Sequence, residues 1–586
     1  MGNSVKQDQA EKMFGKMPVK KAIWLVVLPS LMISLMVGLY TFIDSIFIQQ
    51  FVPRTRMIFD TSSGIKGEIY SFLDSGIPRY SQEQYNSFFN LYKNVVPELN
   101  GNLITSTCNA SFQPIVIFSN SIVFLIPIGG SVFYSKCIGK NLERSGKDLW
   151  ATLFWTTLVL SLIATIISFI FASSGLLDYI AGTTHLKNTK IPEADAAKWQ
   201  PYYDAAHRLS VSWAKQYIYL YAAGTFMQGL SLYLSYFIRS EGYSNYAMGV
   251  SIVSNIINIV LDAILIIVFK LGVMGGIIAT LVGWFFNLAA FLIYLSYMNK
   301  KQKTWLMLSH LFKFKFNKKL LGPTILIGLG GFFRSFGIAI SFAVLNILLT
   351  KTSYQLAGQY QFQLAKASPI LSLLIISIYG INDGARPMLS YNFARNKISR
   401  CKEIYWWTML VAIVYAISSY IFVAATAQAM FVHILNTAKA AQPGVAKFIR
   451  VITLRVIFIS FSISSVLIFQ GTNDIGRTMI ASVIESLLYV LIIAPISYFI
   501  GLAVFKSTGG GNGLNEASNY VIIISFVVNC LFSSAILFGY SWWYISKKMP
   551  NLSKEKLSWG RKIENQFIEE AIKYEKEFNP DFKLTF

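Results

Sequence analysis

Two carboxylates lie inside long apolar stretches of the sequence, where a charge is energetically unfavourable. Asp44 lies near the end of the stretch 22–50, and Asp262 lies within the stretch 247–269. A charged side chain at bilayer depth costs roughly 2.5–3.5 kcal/mol on insertion scales. The two acids therefore predict a functional site. The structural alternative is that Asp44 caps or orients a helix and that Asp262 bonds nearby asparagines.

Polar side chains accompany Asp262. Asn258 precedes it by one helical turn and Asn255 comes three residues earlier, so all three share one helix face. Thr280 lies about eight residues into the next apolar stretch. Together with Asp44, these carboxylate, amide and hydroxyl groups provide several hard oxygen ligands, which could bind Na⁺ or share a proton.

A second set of charges lies in the apolar stretches of the second half of the chain. It consists of Arg334, Lys366 and Glu485. One interpretation is an internal salt bridge such as Arg334–Glu485. The other is a contact surface for an anionic or zwitterionic substrate.

The composition predicts a membrane environment for these groups. Of 586 residues, 54% are hydrophobic and 13% are charged, which is about half the charged fraction of a soluble domain. Each membrane helix needs about 20 apolar residues. We predict an all-α integral membrane protein with twelve transmembrane helices. The predicted spans are 22–50, 112–136, 149–175, 213–238, 247–269, 272–298, 321–350, 358–385, 404–433, 446–471, 477–503 and 519–546.

The formal net charge of +23 predicts orientation. Basic residues concentrate in the segments 16–21, 299–320 and 395–402, which share one side if the spans alternate. The positive-inside rule makes that side the cytoplasm, so both termini are predicted to be cytoplasmic in a multi-pass protein of the plasma membrane. Because these residues flank spans and form no basic domain surface, we expect no nucleic-acid partner.

An internal repeat predicts two lobes. The segment 129–141 aligns without a gap with 384–396, and the matches include Ser135 with Ser390 and Asn141 with Asn396. Both copies follow the second span of a set of six. A parallel repeat of this kind predicts two six-helix lobes related by a pseudo-twofold axis along the membrane normal.

These observations define the expected domain organisation. It comprises a cytoplasmic N-terminus 1–21, a first lobe 22–298 with an extracellular insert 51–110, a basic cytoplasmic linker 299–320, a second lobe 321–546 and a cytoplasmic tail 547–586. In the tail, Glu569, Lys573 and Lys576 suggest a short amphipathic helix, and the favoured alternative is a solvated cytoplasmic segment.

Several classes of function are disfavoured. The four cysteines and four histidines are scattered, so no zinc, haem or disulfide framework is indicated. No nucleophile, base and oxyanion constellation is visible, so no enzyme activity and no cofactor are expected. The expected partners of a monomeric protein are the lipid bilayer and a small-molecule substrate. A receptor or scaffold that uses the insert as a binding surface is a further alternative.

Several motifs resemble those of the multidrug and toxic compound extrusion (MATE) transporters. They are Pro29 followed by Leu39-Tyr40 and Asp44, Arg239-Ser-Glu-Gly242, Asn258-Ile-Val-Leu-Asp262, Gly272-Val-Met-Gly-Gly-Ile-Ile-Ala-Thr280 and Gly384-Ala-Arg-Pro387-Met-Leu-Ser-Tyr391-Asn. The resemblance extends over all twelve predicted spans and is more specific in the first half. It is greatest to the DinF-like branch.

The resemblance implies cation-coupled efflux. The positions that match the cation site of the DinF-like branch are Asp44, Asn258, Asp262 and Thr280. Tyr40 and Tyr217 match cavity tyrosines, and Pro29 matches a proline whose bending is proposed to accompany protonation. The chain departs from the family in its long insert 51–110, and in Arg334, which lies in the region where another branch has an acidic residue.

The sequence therefore predicts a secondary-active antiporter. It would export amphipathic organic compounds in exchange for Na⁺ or H⁺ by alternating access. The main alternative is a flippase for lipid-linked sugars or lipid precursors, which Arg334 and Lys366 would suit by binding a phosphate.

Overall fold

The described part of the chain is almost entirely helical. The computed structural model describes residues 8–52, 72–92, 115–181, 186, 191–316, 318–352, 357–435, 437, 442–507, 512–554 and 559–578. Helices make up 89% of this structure, and these ranges contain no strand. The all-α prediction is confirmed.

The long helices follow the predicted spans. They are α1 (Val19–Phe51), α2 (Ile115–Gly139), α3 (Glu143–Ser173), α4 (Glu193–Ser240), α5 (Ser244–Val268), α6 (Val273–Lys300), α7 (Leu321–Thr352), α8 (Ala357–Ala394), α9 (Ile398–Ile434), α10 (Gln442–Gly471), α11 (Ile475–Val504) and α12 (Asn512–Trp543). Among the described residues, ten helices are long and apolar enough to cross a membrane. The helices α4 and α7 are not among these ten, so their crossing stays a prediction.

The two halves of the chain repeat one pattern of helix contacts. Each pair of helices in contact among α1 to α6 corresponds to a pair in contact among α7 to α12, whose numbers are higher by six. For example, the contact of α1 with α5 corresponds to that of α7 with α11. The turns after α2 and α8 also match. Asn141 and Asn396 have positive φ angles of 59° and 56°. The amide N–H groups of both residues donate to the carbonyl three residues earlier, in Ile138 and Phe393.

The halves meet along two related seams. The contact between α1 and α8 is the most extensive of any two helices in the described ranges, and α2 packs on α7. Small residues allow this close approach. A Cβ atom at Gly129 of α2 would lie 2.0 Å from the Thr324 carbonyl oxygen of α7, and one at Gly328 would lie 1.9 Å from the Leu125 oxygen of α2. Only glycine fits either position.

The two ends of the helical array differ. At one end, which we call the insert end, a short insert helix (Gln82–Tyr92) packs on the first turns of α4. Their aromatic cluster includes Phe88 and Trp199, whose ring centroids are 5.1 Å apart. Since α4 begins at Glu193 and the predicted span begins at 213, α4 extends about 30 Å further than predicted at 1.5 Å per residue.

The opposite end, which we call the linker end, carries the segment 301–316 and a tail helix (Trp559–Phe578). The tail helix is amphipathic as predicted. It is packed on the array, with Phe567 and Ala571 buried, and is not a solvated segment. Glu575 accepts the backbone N–H groups of Arg144 at 2.6 Å and Ser145 at 3.4 Å, at the start of α3. Burial raises the pKa of the Glu575 carboxyl, and these two donors act against the rise.

The left-handed turn after α8 gives a test of the repeat. We expect Asn396→Ala to lower the thermal stability of the detergent-solubilised protein, because a Cβ-bearing residue without a short polar side chain is strained at positive φ by roughly 1–2 kcal/mol. Asn396→Gly should retain the wild-type melting temperature. Asn141→Ala and Asn141→Gly should behave in the same way. Equal melting temperatures for the alanine and glycine variants would contradict this account.

Candidate cation-coupling site

Asp262 is the buried centre of the predicted site. Its exposed fraction is 0%, and α5 changes from an α-helical to a π-helical turn immediately after it. Such π-helical turns are frequent at functional sites. The best amide orientation for Asn258 lets its Nδ2 donate to Asp262 Oδ2 at 3.2 Å. Its Oδ1 then accepts the Thr280 hydroxyl at 3.3 Å and the Thr280 backbone N–H at 3.1 Å, which joins α5 to α6.

Asp44 enters the same site from α1. Its Oδ1 lies against Gly276 of α6, where an added Cβ atom would come within 2.6 Å of that oxygen. The carboxyl groups of Asp44 and Asp262 are close enough to interact electrostatically. The structure thus brings together Asp44, Asn258, Asp262 and Thr280 from three helices.

One oxygen of each acid has no hydrogen-bond donor among the described residues. Asp44 Oδ1 and Asp262 Oδ1 are both buried, and no described group donates to either. An unsatisfied carboxylate oxygen in a low-dielectric interior is costly, because burial removes its water without replacing the lost hydrogen bonds. A proton or a small hard cation would remove that cost, so the residues present fit either one. Within the described ranges, no cluster of three or more His, Cys, Asp or Glu side chains suggests another metal centre.

Tyr40 borders the acid pair. Its hydroxyl interacts with Trp284 of α6 and with the charges of both Asp44 and Asp262. The Trp284 ring also packs edge-on to Tyr221 of α4 at 5.6 Å between centroids. Sequence analysis missed Trp284 and Tyr221, because aromatic residues in apolar helices give no signal that separates packing from site contacts.

The other tyrosine from the resemblance, Tyr217, lies one turn before Tyr221 in α4. It is 8% exposed and belongs to an apolar cluster at the insert end that includes Ile266 of α5 and Ile277 of α6. The structure places Tyr217 beside the helices of the acid site. Its predicted role in a substrate cavity stays a prediction.

The predicted charged set of the second half is only partly described. Lys366 Nζ donates to the Leu435 carbonyl at 2.6 Å, next to the end of α9. The Tyr379 hydroxyl donates to Glu485 Oε1 at 3.5 Å. Arg334 lies in α7, but its side chain is outside the described residues. The salt-bridge and substrate-contact interpretations both stay open.

Sequence analysis missed a buried network between the halves. Arg386 of α8 is 0% exposed, and its guanidinium donates to Asp383 Oδ1 at 2.6 Å and to Gln470 Oε1 of α10 at 3.0 Å. The Tyr236 hydroxyl of α4 donates to the other oxygen of Asp383. The i, i+3 spacing of Asp383 and Arg386 was an available signal, but it is equally typical of a solvated helix end.

Arg455 is a second basic residue that sequence analysis missed. It lies within α10, is 3% exposed, and has its guanidinium carbon 3.8 Å from the centroid of the Phe526 ring of α12. Stacking on an aromatic face stabilises a desolvated guanidinium. The second half therefore holds at least two deeply buried arginines.

Sequence comparisons give partial matches. No model of a protein family matches the chain. An uncharacterized protein of Mycoplasmoides gallisepticum is 27% identical over 497 residues, which cover 83% of this chain and 84% of that protein. Multidrug export protein MepA of Staphylococcus aureus is 29% identical over 173 residues, which cover 29% of this chain and 36% of MepA.

Matches to solved structures cover a larger share of the chain than these sequence matches do. An outward-facing MATE family transporter of the MOP superfamily matches with a TM-score of 0.65 and 18% identity, over 92% of this chain and 98% of that chain. A MOP superfamily transporter from Pyrococcus furiosus, described as having a binding pocket of reverse polarity, matches with a TM-score of 0.65 and 17% identity, over the same shares of the two chains. The chain therefore has the fold of the multidrug and toxic compound extrusion transporters.

Proposed function

We propose that the protein is a secondary-active exporter that moves amphipathic organic compounds out of the cell in exchange for a cation. The observation that carries this proposal is the pair of buried oxygens, Asp44 Oδ1 and Asp262 Oδ1, to which no described group donates. Occupation of this site by a cation would tie α1 to the α5–α6 pair. The MATE fold and the partial match to multidrug export protein MepA support drug-like compounds as the exported substrates.

The proposed membrane arrangement has twelve spans in two six-helix lobes, related by a pseudo-twofold axis along the membrane normal. The repeated pattern of helix contacts and the matching turns at Asn141 and Asn396 support it. The basic segments of the linker end support a cytoplasmic location for that end and for both termini, in the plasma membrane.

The seams between the lobes would permit alternating access. Rocking requires the contacts of α1 with α8 and of α2 with α7 to open at one end while they persist at the other. Gly129 and Gly328 place backbone directly against backbone at the second seam. At these two points no side chain lies between the helices, so the backbones can shift relative to each other there. Elsewhere on this seam Phe118 of α2 packs edge-on to Phe332 of α7, at 6.1 Å between ring centroids, and these rings would have to move.

Coupling would arise from the charge of the acid site. Without a cation, Asp44 and Asp262 repel each other whenever both are ionised. A bound H⁺ or Na⁺ removes that repulsion and draws α1 toward α5 and α6. Pro29 deprives α1 of one backbone hydrogen bond, so a bend can accompany this movement. Substrate affinity must differ between the two states of α1 for exchange to occur.

The membrane potential makes such exchange energetically useful. Each cation that enters contributes about 2.3 kcal/mol per 100 mV. The oxygen set of the site suits both H⁺ and Na⁺, and the DinF-like match of Asp44, Asn258, Asp262 and Thr280 is compatible with either one.

A flippase for lipid-linked sugars or lipid precursors is the second candidate. The buried Arg455 of α10 favours it, because a guanidinium binds phosphate well. Lys366 adds a second basic group to the same half. The reverse polarity described for the pocket of the Pyrococcus furiosus transporter suggests that this fold tolerates more than one kind of substrate site.

Removal of either acid gives the main test. We expect Asp44→Asn and Asp262→Asn each to reduce gradient-driven transport by at least about tenfold, because a neutral amide cannot bind and release a cation at this position. The measurement uses the full chain reconstituted in vesicles, with Na⁺ and pH gradients imposed separately. The probes are a cationic dye, an anionic dye and a fluorescent phospholipid.

Asp178→Asn is the matched control, because Asp178 is half-exposed at the insert end and outside the acid site. It should keep wild-type transport. Full coupled transport by both Asp44→Asn and Asp262→Asn would refute the proposed coupling site. Movement of the phospholipid alone, with no movement of either dye, would favour the flippase.

The space beside Asp44 gives a second test. We expect Gly276→Ala to impair coupled transport, because its Cβ atom would come within 2.6 Å of Asp44 Oδ1 and force the carboxylate away from α6. Gly283→Ala on the same helix is the control, since its Cβ atom would meet Asn258 Cβ at an ordinary 3.5 Å. Initial rates under a fixed cation gradient would be compared. Equal rates for the two variants would contradict the proposed position of Asp44.

A further inference from the structure

The tail helix contacts both halves of the protein at the linker end. The Lys136 ammonium of α2, in the first half, binds Glu564 Oε1 of the tail helix at 2.7 Å. The Asn473 amide, in the turn between α10 and α11 of the second half, donates to Glu564 Oε2 at 2.5 Å. One carboxylate of the tail therefore joins groups that belong to different halves.

This bridge is buried. The Lys136 and Glu564 side chains are 4% and 10% exposed. Removal of one partner from a buried ion pair is costly, because the other charge remains desolvated and unpaired. The Lys136 ammonium also lies 5.3 Å from the centroid of the Phe393 ring of α8, in the opposite half. Separation of the two halves at this end would therefore expose or unpair a charged group.

Further contacts fix the tail helix at both of its ends. Near its start, Arg561 donates to the Tyr544 hydroxyl at 2.7 Å and lies 3.7 Å from Asp474 Oδ2, and both partners belong to the second half. Near its other end, Glu575 accepts the backbone N–H groups of Arg144 and Ser145 in the first half. The tail helix thus crosses the boundary between the halves along its length.

The halves also contact each other directly beneath the tail helix. The Arg395 guanidinium at the end of α8 donates to the Gly139 carbonyl at the end of α2 at 2.8 Å. A Cβ atom at Gly139 would lie 2.9 Å from the Tyr391 carbonyl oxygen. The linker end is therefore closed in this structure, and the tail helix lies across the closure.

We propose that the tail helix is a latch that holds the linker ends of the two halves together and must release one half before this end can open. The inference rests on the alternating access proposed above. Opening by rocking would increase the distance between Lys136 and Asn473, and a single carboxylate of fixed size cannot bind both groups once they separate. The strength of the latch then sets the fraction of molecules that are open at the linker end.

The test measures that fraction directly. Spin labels would be attached at Lys300→Cys in α6 and Glu403→Cys in α9, both at exposed positions of the linker end, in the full chain embedded in lipid nanodiscs. Electron–electron double resonance gives the distribution of distances between the two labels. We expect Glu564→Ala to raise the ratio of long-distance to short-distance molecules by at least about tenfold, which corresponds to about 1.4 kcal/mol.

A matched control and a second variant make the result specific. Glu569→Gln changes an exposed carboxylate on another face of the same helix and should leave the distribution unchanged. Glu575→Gln weakens the contact with Arg144 and Ser145 and should shift the distribution in the same direction as Glu564→Ala. The charge reversal of Lys136→Glu combined with Glu564→Lys should restore more of the short-distance population than Glu564→Lys alone does.

An unchanged distribution in folded Glu564→Ala and Glu575→Gln proteins would overturn the latch and leave the tail helix as a passive cover. An equal shift in Glu569→Gln would also overturn it, because the effect would then be general destabilisation. The label distances do not depend on any substrate. Failure of every transport probe would therefore count against the proposed function without deciding the latch.

Discussion

The cost of placing charge in an apolar helical array is the constraint on which this structure depends. Most buried charges in the described residues have clear partners. Arg386 binds Asp383, and Lys136 binds Glu564. Asp44 and Asp262 differ, because these two carboxyl groups lie near each other, each has one buried oxygen to which no described group donates, and no described basic side chain pairs with either. A pair of acids that only stabilised the fold would be expected to be satisfied. Their position beside each other, without a described basic partner, is what supports the proposed cation site.

The repeat gives the two halves the same helix contacts but different chemistry. The α1–α5 pair of the first half carries Asp44 and Asp262, and the α7–α11 pair occupies the equivalent place in the second half. The second half buries Arg386 and Arg455, and the first half also buries Lys136 and Arg239, but no described basic side chain pairs with the two acids. In the proposed mechanism, a cation at Asp44 and Asp262 and a substrate near Arg455 would occupy separate places. Competition between them would then require a change in helix position, not direct displacement.

The sequence predicted the features that depend on local pattern. Apolar length predicted the helices, and the spacing of Asn258 and Asp262 predicted their shared face. It did not predict the features that depend on partners distant in the chain. The amphipathic pattern of the tail helix identified a buried face. The partners of Glu564, Lys136 and Asn473, could not be predicted, because they are distant from it in the chain and meet it only in the folded structure. The extension of α4 was missed for the same reason, because its first turns are buried against segments distant in the chain, among them the insert helix.

Helix α1 connects the two ends of the array. Asp44 lies near its insert end, while Ser30 accepts a hydrogen bond from Arg239 at 3.2 Å and lies against Gly384 of α8. These two positions are about 21 Å apart at 1.5 Å per residue. Pro29, beside Ser30, is where α1 loses a backbone hydrogen bond. In the proposed mechanism, a change of charge at Asp44 would reach the part of the α8 seam around Ser30 and Gly384 through a helix that is weakened at Pro29.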